Sequence, residues 1–182
     1  MRSFVSKLAV LGVAAGAVIG LAATSASAVE ETGATCVSSA ATATFSPGLE
    51  EANAKVQNIT IKGTASECTG EAGASTKYVI HVKTAEGATC ATLNGGLLAA
   101  TGSGSLKWGH GHGNSQGTFS FTGGPASYGL NGTLESGPYA GMSLTDTFSG
   151  TSVFKGGKGE PCTKKNKLKK IELTGATPLV IS

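Results

Sequence analysis

Asp146 is the sole aspartate of the chain, and it stands at even spacing with Met142, Leu144 and Phe148. On a strand such positions share one face. That places the carboxyl among apolar neighbours, where burial raises its pKa and makes a general acid of it. Glycoside cleavage needs a second carboxylate facing the first, and Glu135 is the nearest in sequence. Nothing in the sequence brings the two into register. We expect a bulge or a strand end to let Asp146 reach solvent, and no catalytic residue is assigned.

Two other groupings invite a chemical reading. Gly113-Asn114-Ser115-Gln116-Gly117 matches G-x-S-x-G, with His110 and His112 just upstream. A nucleophile elbow requires a strand that turns sharply into a helix. Here Gly117–Thr122 reads as a strand, so Ser115 is expected in a hairpin loop. His110 and His112 share a face at i and i+2, but a competent metal site needs three or four ligands. His81 sits among lysines on an outward face and no carboxylate neighbours the pair in sequence. The expectation is a polar loop tip, with no metal and no cofactor.

Charge is the stronger feature. Lys155, Lys158, Lys164, Lys165, Lys167, Lys169 and Lys170 face only Glu160 within Lys155–Lys170, a local net of +6. From Val29 through Phe154 there are five lysines and nine acids, a net of −4. A loop of this kind attracts polyanions at the cell wall or anionic membrane surfaces, and edge lysines also block sheet-to-sheet pairing. These seven lysines are the candidate binding residues. Arg2 is the only arginine, and arginine is the usual fork for phosphate recognition. Nucleic acid is therefore not an expected partner.

The elements that must hold these groups are strands. The first 28 residues read as an export signal. Arg2 and Lys7 supply charge, Leu8–Ala23 is apolar and small, and Ala26-Ser27-Ala28 is a small-x-small cleavage site. Cleavage after Ala28 leaves 29–182 as a single secreted β domain of 154 residues with no later apolar run able to span a bilayer. Short alternation follows, punctuated by glycine, of which the whole chain holds 28. Inward positions are expected at Val37, Ala41, Ala43 and Phe45, then Ile59 and Ile61, then Tyr78, Ile80 and Val82. Leu106 and Trp108 follow, then Phe119 and Phe121, then Tyr128, Leu130 and Leu134. Met142, Leu144 and Phe148 precede a last pair, Ile171 and Leu173. About eight strands with Gly/Pro turns between them predict an all-β fold, an antiparallel β-sandwich or a closed barrel. Turn signals stand at Ser46-Pro47-Gly48, Asn94-Gly95, Gly123-Gly124-Pro125 and Gly137-Pro138. Leu49–Val56 is the one expected helical turn. The Gly-Thr steps at 63, 117, 132 and 150 are irregularly spaced and read as shared strand composition.

An even cysteine count in an exported chain favours disulfides. If Cys36–Phe45 returns as Lys55–Cys68 in a hairpin, paired numbers sum to about 100–104, which sets Cys36 beside Cys68. Cys90 then falls at the opposite end and is left for Cys162. The expected staples are Cys36–Cys68 and Cys90–Cys162.

The export signal together with ITIKGTASECTG, TGSGSLKWGHG, GTFSFTG and GTLESGPYAG is similar to small secreted β-rich proteins of actinobacteria. The resemblance implies a β fold and export, and it carries no activity or catalytic residue with it. The leading functional expectation is an exported non-enzymatic protein that binds polyanionic envelope material through its lysines. The alternatives are a small-molecule carrier with a cavity lined by Trp108, Phe119 and Phe121, or a hydrolase built on Asp146 with Glu135 or on Ser115. A stacking groove for sugars lacks aromatics, since only Tyr139 is expected at the surface.

Overall fold

Strict alternation on β3 (Ser75–Thr84) sends Thr76, Tyr78, Ile80, Val82 and Thr84 inward and leaves the residues between them outside. Eight further strands complete the sheet: β1 (Ala34–Leu49), β2 (Asn58–Cys68), β4 (Leu98–Trp108), β5 (Asn114–Gly123), β6 (Tyr128–Ser136), β7 (Ser143–Ser152), β8 (Leu168–Gly175) and β9 (Leu179–Ile181). The computed structural model describes residues 33–70, 73–124, 127–152 and 162–182. The expected export signal, Lys155 and Lys158 lie outside the described residues.

Each strand from β1 to β8 pairs antiparallel with the next, and β8 returns to pair with β1. The sheet is thereby a closed barrel, which leaves no lateral edge for another strand to add to. β9 shares the place of β8, since both lie between β1 and β7. The eighth stave is therefore one strand interrupted at 176–178. Eight strands enclose an interior just wide enough to be filled by side chains. Phe45, Ile61, Ile80, Leu106, Phe121, Leu130, Phe148 and Ile171 fill it, each no more than 2% exposed. Burying a side chain of this size stabilises by about 1.5–3 kcal/mol. Outward positions carry Lys, Thr and Ser, the reverse of a lipid-facing barrel. No helix among the described residues is long and apolar enough to cross a membrane.

Both disulfides form as the strand arithmetic predicts. Cys36 pairs with Cys68 and Cys90 with Cys162, and in the β1–β2 register Cys36 faces Cys68 as Phe45 faces Ile59. The two bonds sit at opposite ends of the barrel, because Cys68 ends β2 while Cys90 follows β3.

Several expectations are corrected. Leu49–Val56 is not helical. Leu49 ends β1 fully buried, and Lys55 makes an isolated bridge with Ala88. The α-helix among the described residues is α1 (Cys90–Asn94), where the Thr89 hydroxyl accepts from the Thr92 backbone N–H and the Thr92 hydroxyl from that of Thr89. That reciprocal cap satisfies two otherwise orphaned donors. Its buried Cys90 and Leu93 close one end of the barrel. Asn94-Gly95 turns the chain as expected, at the end of α1 and ahead of β4. Ser46-Pro47-Gly48 does not end β1; it lies within the strand, where the register with β8 shifts between Thr44 and Leu49. Val37 is 61% exposed. Cys36 and Ser39 both face inward, so Val37 and Ser38 point out in succession and the phase of β1 switches between them.

The Gly-Thr steps have a role that composition alone does not reveal. A Cβ on Gly63 would stand 2.2 Å from the Tyr78 ring, one on Gly132 2.3 Å from the Phe119 ring, and one on Gly150 2.1 Å from the Tyr128 ring. Each of these glycines seats an aromatic ring from the adjoining strand. Gly63–Tyr78 and Phe119–Gly132 are also direct register partners. Gly117 differs, as it makes way for the Thr133 carbonyl.

Candidate functional site

The described lysines of the basic segment gather where the chain enters β8. Cys162 is held to Cys90 on α1, and its carbonyl accepts from the Glu51 N–H at 2.7 Å. Beside this anchor the Glu50 carboxylate is buried. It takes a 2.6 Å ion pair from Lys167 and a 2.8 Å hydrogen bond from the Asn53 amide, with Lys55 at 3.8 Å. The Asn53 and Lys167 hydrogen bonds hold its pKa down at about 2. Lys170 pairs with Glu172 on the same strand at 3.1 Å. Lys167 and Lys170 are thus spent on the protein itself. Lys164, Lys165 and Lys169 are exposed and have no carboxylate partner among the described residues.

A second basic surface was not legible from net charge along the chain. Lys77, His81 and Lys83 project outward from β3, and Lys107 projects from β4 directly opposite Lys77. Neither strand has a carboxylate at any outward position. Lys62 stands on the neighbouring β2. Four of the five lysines between Val29 and Phe154 therefore share one wall, because register stacks residues that lie far apart in sequence.

Asp146 does not reach solvent. It keeps its inward parity on β7, opposite Leu130 of β6, and is 1% exposed. Burial pushes its carboxyl pKa up to about 7, opposed by hydrogen bonds from the Ser39 hydroxyl and the Thr147 backbone. The Ser39 bond, to Oδ1, is 3.1 Å long. Asp146 Oδ2 and the Tyr78 hydroxyl are buried without a hydrogen-bond partner among the described residues. Burial, with the Asp146 charge adding to it, raises the Tyr78 pKa. Glu135 points outward from β6 and is exposed. The barrel wall separates the two carboxyls, so they share no cleft.

Ser115 is not in a loop. It is the second residue of β5, fully buried. Its oxygen accepts from Trp108 Nε1 at 2.8 Å, and its proton goes to the Pro138 carbonyl. A serine so engaged joins three segments at the barrel end. His110 and His112 are exposed around the short 3-10 turn at Gly109–Gly111. No cluster of three or more His, Cys, Asp or Glu is placed to hold a metal among the described residues. Tyr139 is also corrected: it is 1% exposed and packs edge-on against Trp108 at 5.1 Å. Phe121 stacks on Tyr128 at 6.0 Å. The rings expected to line a carrier cavity are packed against neighbours: Trp108 on Tyr139, Phe121 on Tyr128, Phe119 over Gly132.

Together these features define a disulfide-linked, closed antiparallel barrel with a mainly apolar interior and two lysine-bearing patches on its outer surface. No protein family, curated protein or solved structure matches the chain.

Proposed function

We propose that the protein is exported and acts without catalysis, binding polyanionic material of the cell envelope through the basic segment 155–170. The observation that carries this reading is the division of labour among the lysines. Lys167 and Lys170 are neutralised by Glu50 and Glu172, while Lys164, Lys165 and Lys169 are presented to solvent beside a disulfide anchor. Fixing the base of a charged segment lowers the ordering cost of engaging a ligand. Exposed, unpaired ammonium groups near one another raise the local concentration of a polyanion, more so at low salt.

The test is a Lys164→Gln/Lys165→Gln/Lys169→Gln variant, which leaves the Glu50 clamp intact. Its retention on immobilised polyphosphate and on whole envelope preparations should fall by about tenfold, and wild-type retention should weaken steeply with salt. Retention unchanged by the three substitutions would sink the reading.

A further inference from the structure

The outside of a closed barrel is ordinarily convex, yet the wall formed by β4 to β7 carries a shallow, open depression. A concavity of about 850 Å³ opens outward across the middle of these four strands. The inward row beneath it runs Gly102, Phe119, Gly132, Leu144 in direct register. Two of those four positions have no side chain to hold the wall away from the core, and the Phe119 ring lies over Gly132. The hollow is the outer face of these strands.

Its lining is uncharged and hydroxyl-rich, with Asn131 beside the hydroxyls and Phe119 and Leu144 contributing apolar surface. Thr101 and Ser103 on β4, Thr118 and Ser120 on β5, Thr133 on β6 and Thr145 on β7 all contribute, and no charged residue does. Thr101 faces Ser120, Ser103 faces Thr118, and Thr118 faces Thr133. The hydroxyls therefore stand in rows, spaced about 4.8 Å across strands and about 6.8 Å along them. Each is both donor and acceptor, carried on a wall whose backbone is already fully paired.

That surface selects by exclusion. A nucleic acid or other polyanion gains no ion pair in the hollow, although Lys83 and His81 stand just beside it on β3. A wholly apolar ligand would match the apolar part of the lining but desolvate the hydroxyls without replacing their hydrogen bonds. A peptide strand finds no free edge. A chain of neutral hydroxyl groups meets every requirement, and the volume lies within the range of ligand sites. We propose that the β4–β7 hollow is a binding groove for an uncharged saccharide chain, independent of the lysine segment.

The full chain, folded with both disulfides and 15N-labelled, would be titrated with chitohexaose, cellohexaose and maltohexaose, each to about 10 mM. At least one is expected to shift the amides of Ser103, Thr118 and Thr133, with an affinity that salt leaves unchanged. Thr118→Ala/Thr133→Ala should weaken that binding by about tenfold, whereas Val37→Thr, on β1 across the barrel, should not. Both variants alter exposed side chains, and unchanged thermal unfolding confirms their fold. No shift with any of the three sugars, or shifts confined to other strands, would overturn the proposal. Salt-sensitive binding that perturbs only Lys164, Lys165 and Lys169 would overturn it as well, while leaving the polyanion reading standing.

Discussion

The hydroxyl of Ser39 on β1 donates to Asp146 Oδ1 on β7 at 3.1 Å, inside a barrel whose other inward residues are mainly apolar. That hydroxyl and the Thr147 backbone together do not replace the hydration a carboxylate loses on burial. The folded protein therefore holds a proton on Asp146 with a pKa of about 7, against an ordinary value of 3.8.

Stability should consequently fall as pH rises. The folded state binds more protons than the unfolded state across that window, so the contribution is complete below about 3.8 and lost as pH climbs through about 7. Glu50 acts in the opposite sense. Its pKa is lowered from 4.5 to about 2, so its contribution is present above 4.5 and lost as pH falls toward 2. The two limbs place maximum stability at about pH 4 to 5. Asp146→Asn should remove the alkaline limb and gain on the order of a few kcal/mol over wild type at about pH 8. Denaturant midpoints measured for both proteins across the range check this, and parallel profiles would refute it.

The seated rings give a second expectation. Gly63→Ala, Gly132→Ala and Gly150→Ala each push a methyl into an aromatic ring packed inside the barrel. Overpacking of this kind costs about 1–3 kcal/mol. Gly124→Ala is the control, since a Cβ there meets nothing closer than 3.4 Å, and it should change stability by no more than about 0.5 kcal/mol. Thermal unfolding of the four variants separates seated glycines from turn glycines.

The disulfides should differ in weight. Cys90–Cys162 closes a span of 72 residues and Cys36–Cys68 one of 32. Loop-closure entropy assigns roughly 4 kcal/mol to each, the longer being larger by less than about 1 kcal/mol. Cys90→Ser/Cys162→Ser should also release the Glu51–Cys162 backbone contact and lower retention on polyphosphate. Cys36→Ser/Cys68→Ser, at the far end, should lower stability alone. Equal effects of both pairs on retention would count against the anchor at Cys162.

Much of this fold was readable because alternation is local. Tyr78, Ile80 and Val82 announce an inward face within eight residues, and the hairpin register that joins Cys36 to Cys68 needs only one turn to be placed. The same parity put Asp146 among inward residues, and the expectation that it escapes to solvent failed because β7 runs on without a bulge there. Tyr139 was missed for another reason. Its turn is polar and glycine-rich in sequence, yet it folds over the barrel end against Trp108, a contact set by the β4–β5 and β6–β7 turns meeting in space.

Sequence by itself thus determined most of the strands and most of their inward faces, the disulfide pairing and the net charge of each segment, since these depend on residue type and short-range period. Only the tertiary structure decided that β8 closes on β1, that four lysines share one wall, that glycines seat rings from neighbouring strands, and that a row of hydroxyls lines a hollow. Those relations follow from cross-strand register accumulated around the closed barrel, where one residue of slip would turn each face inside out.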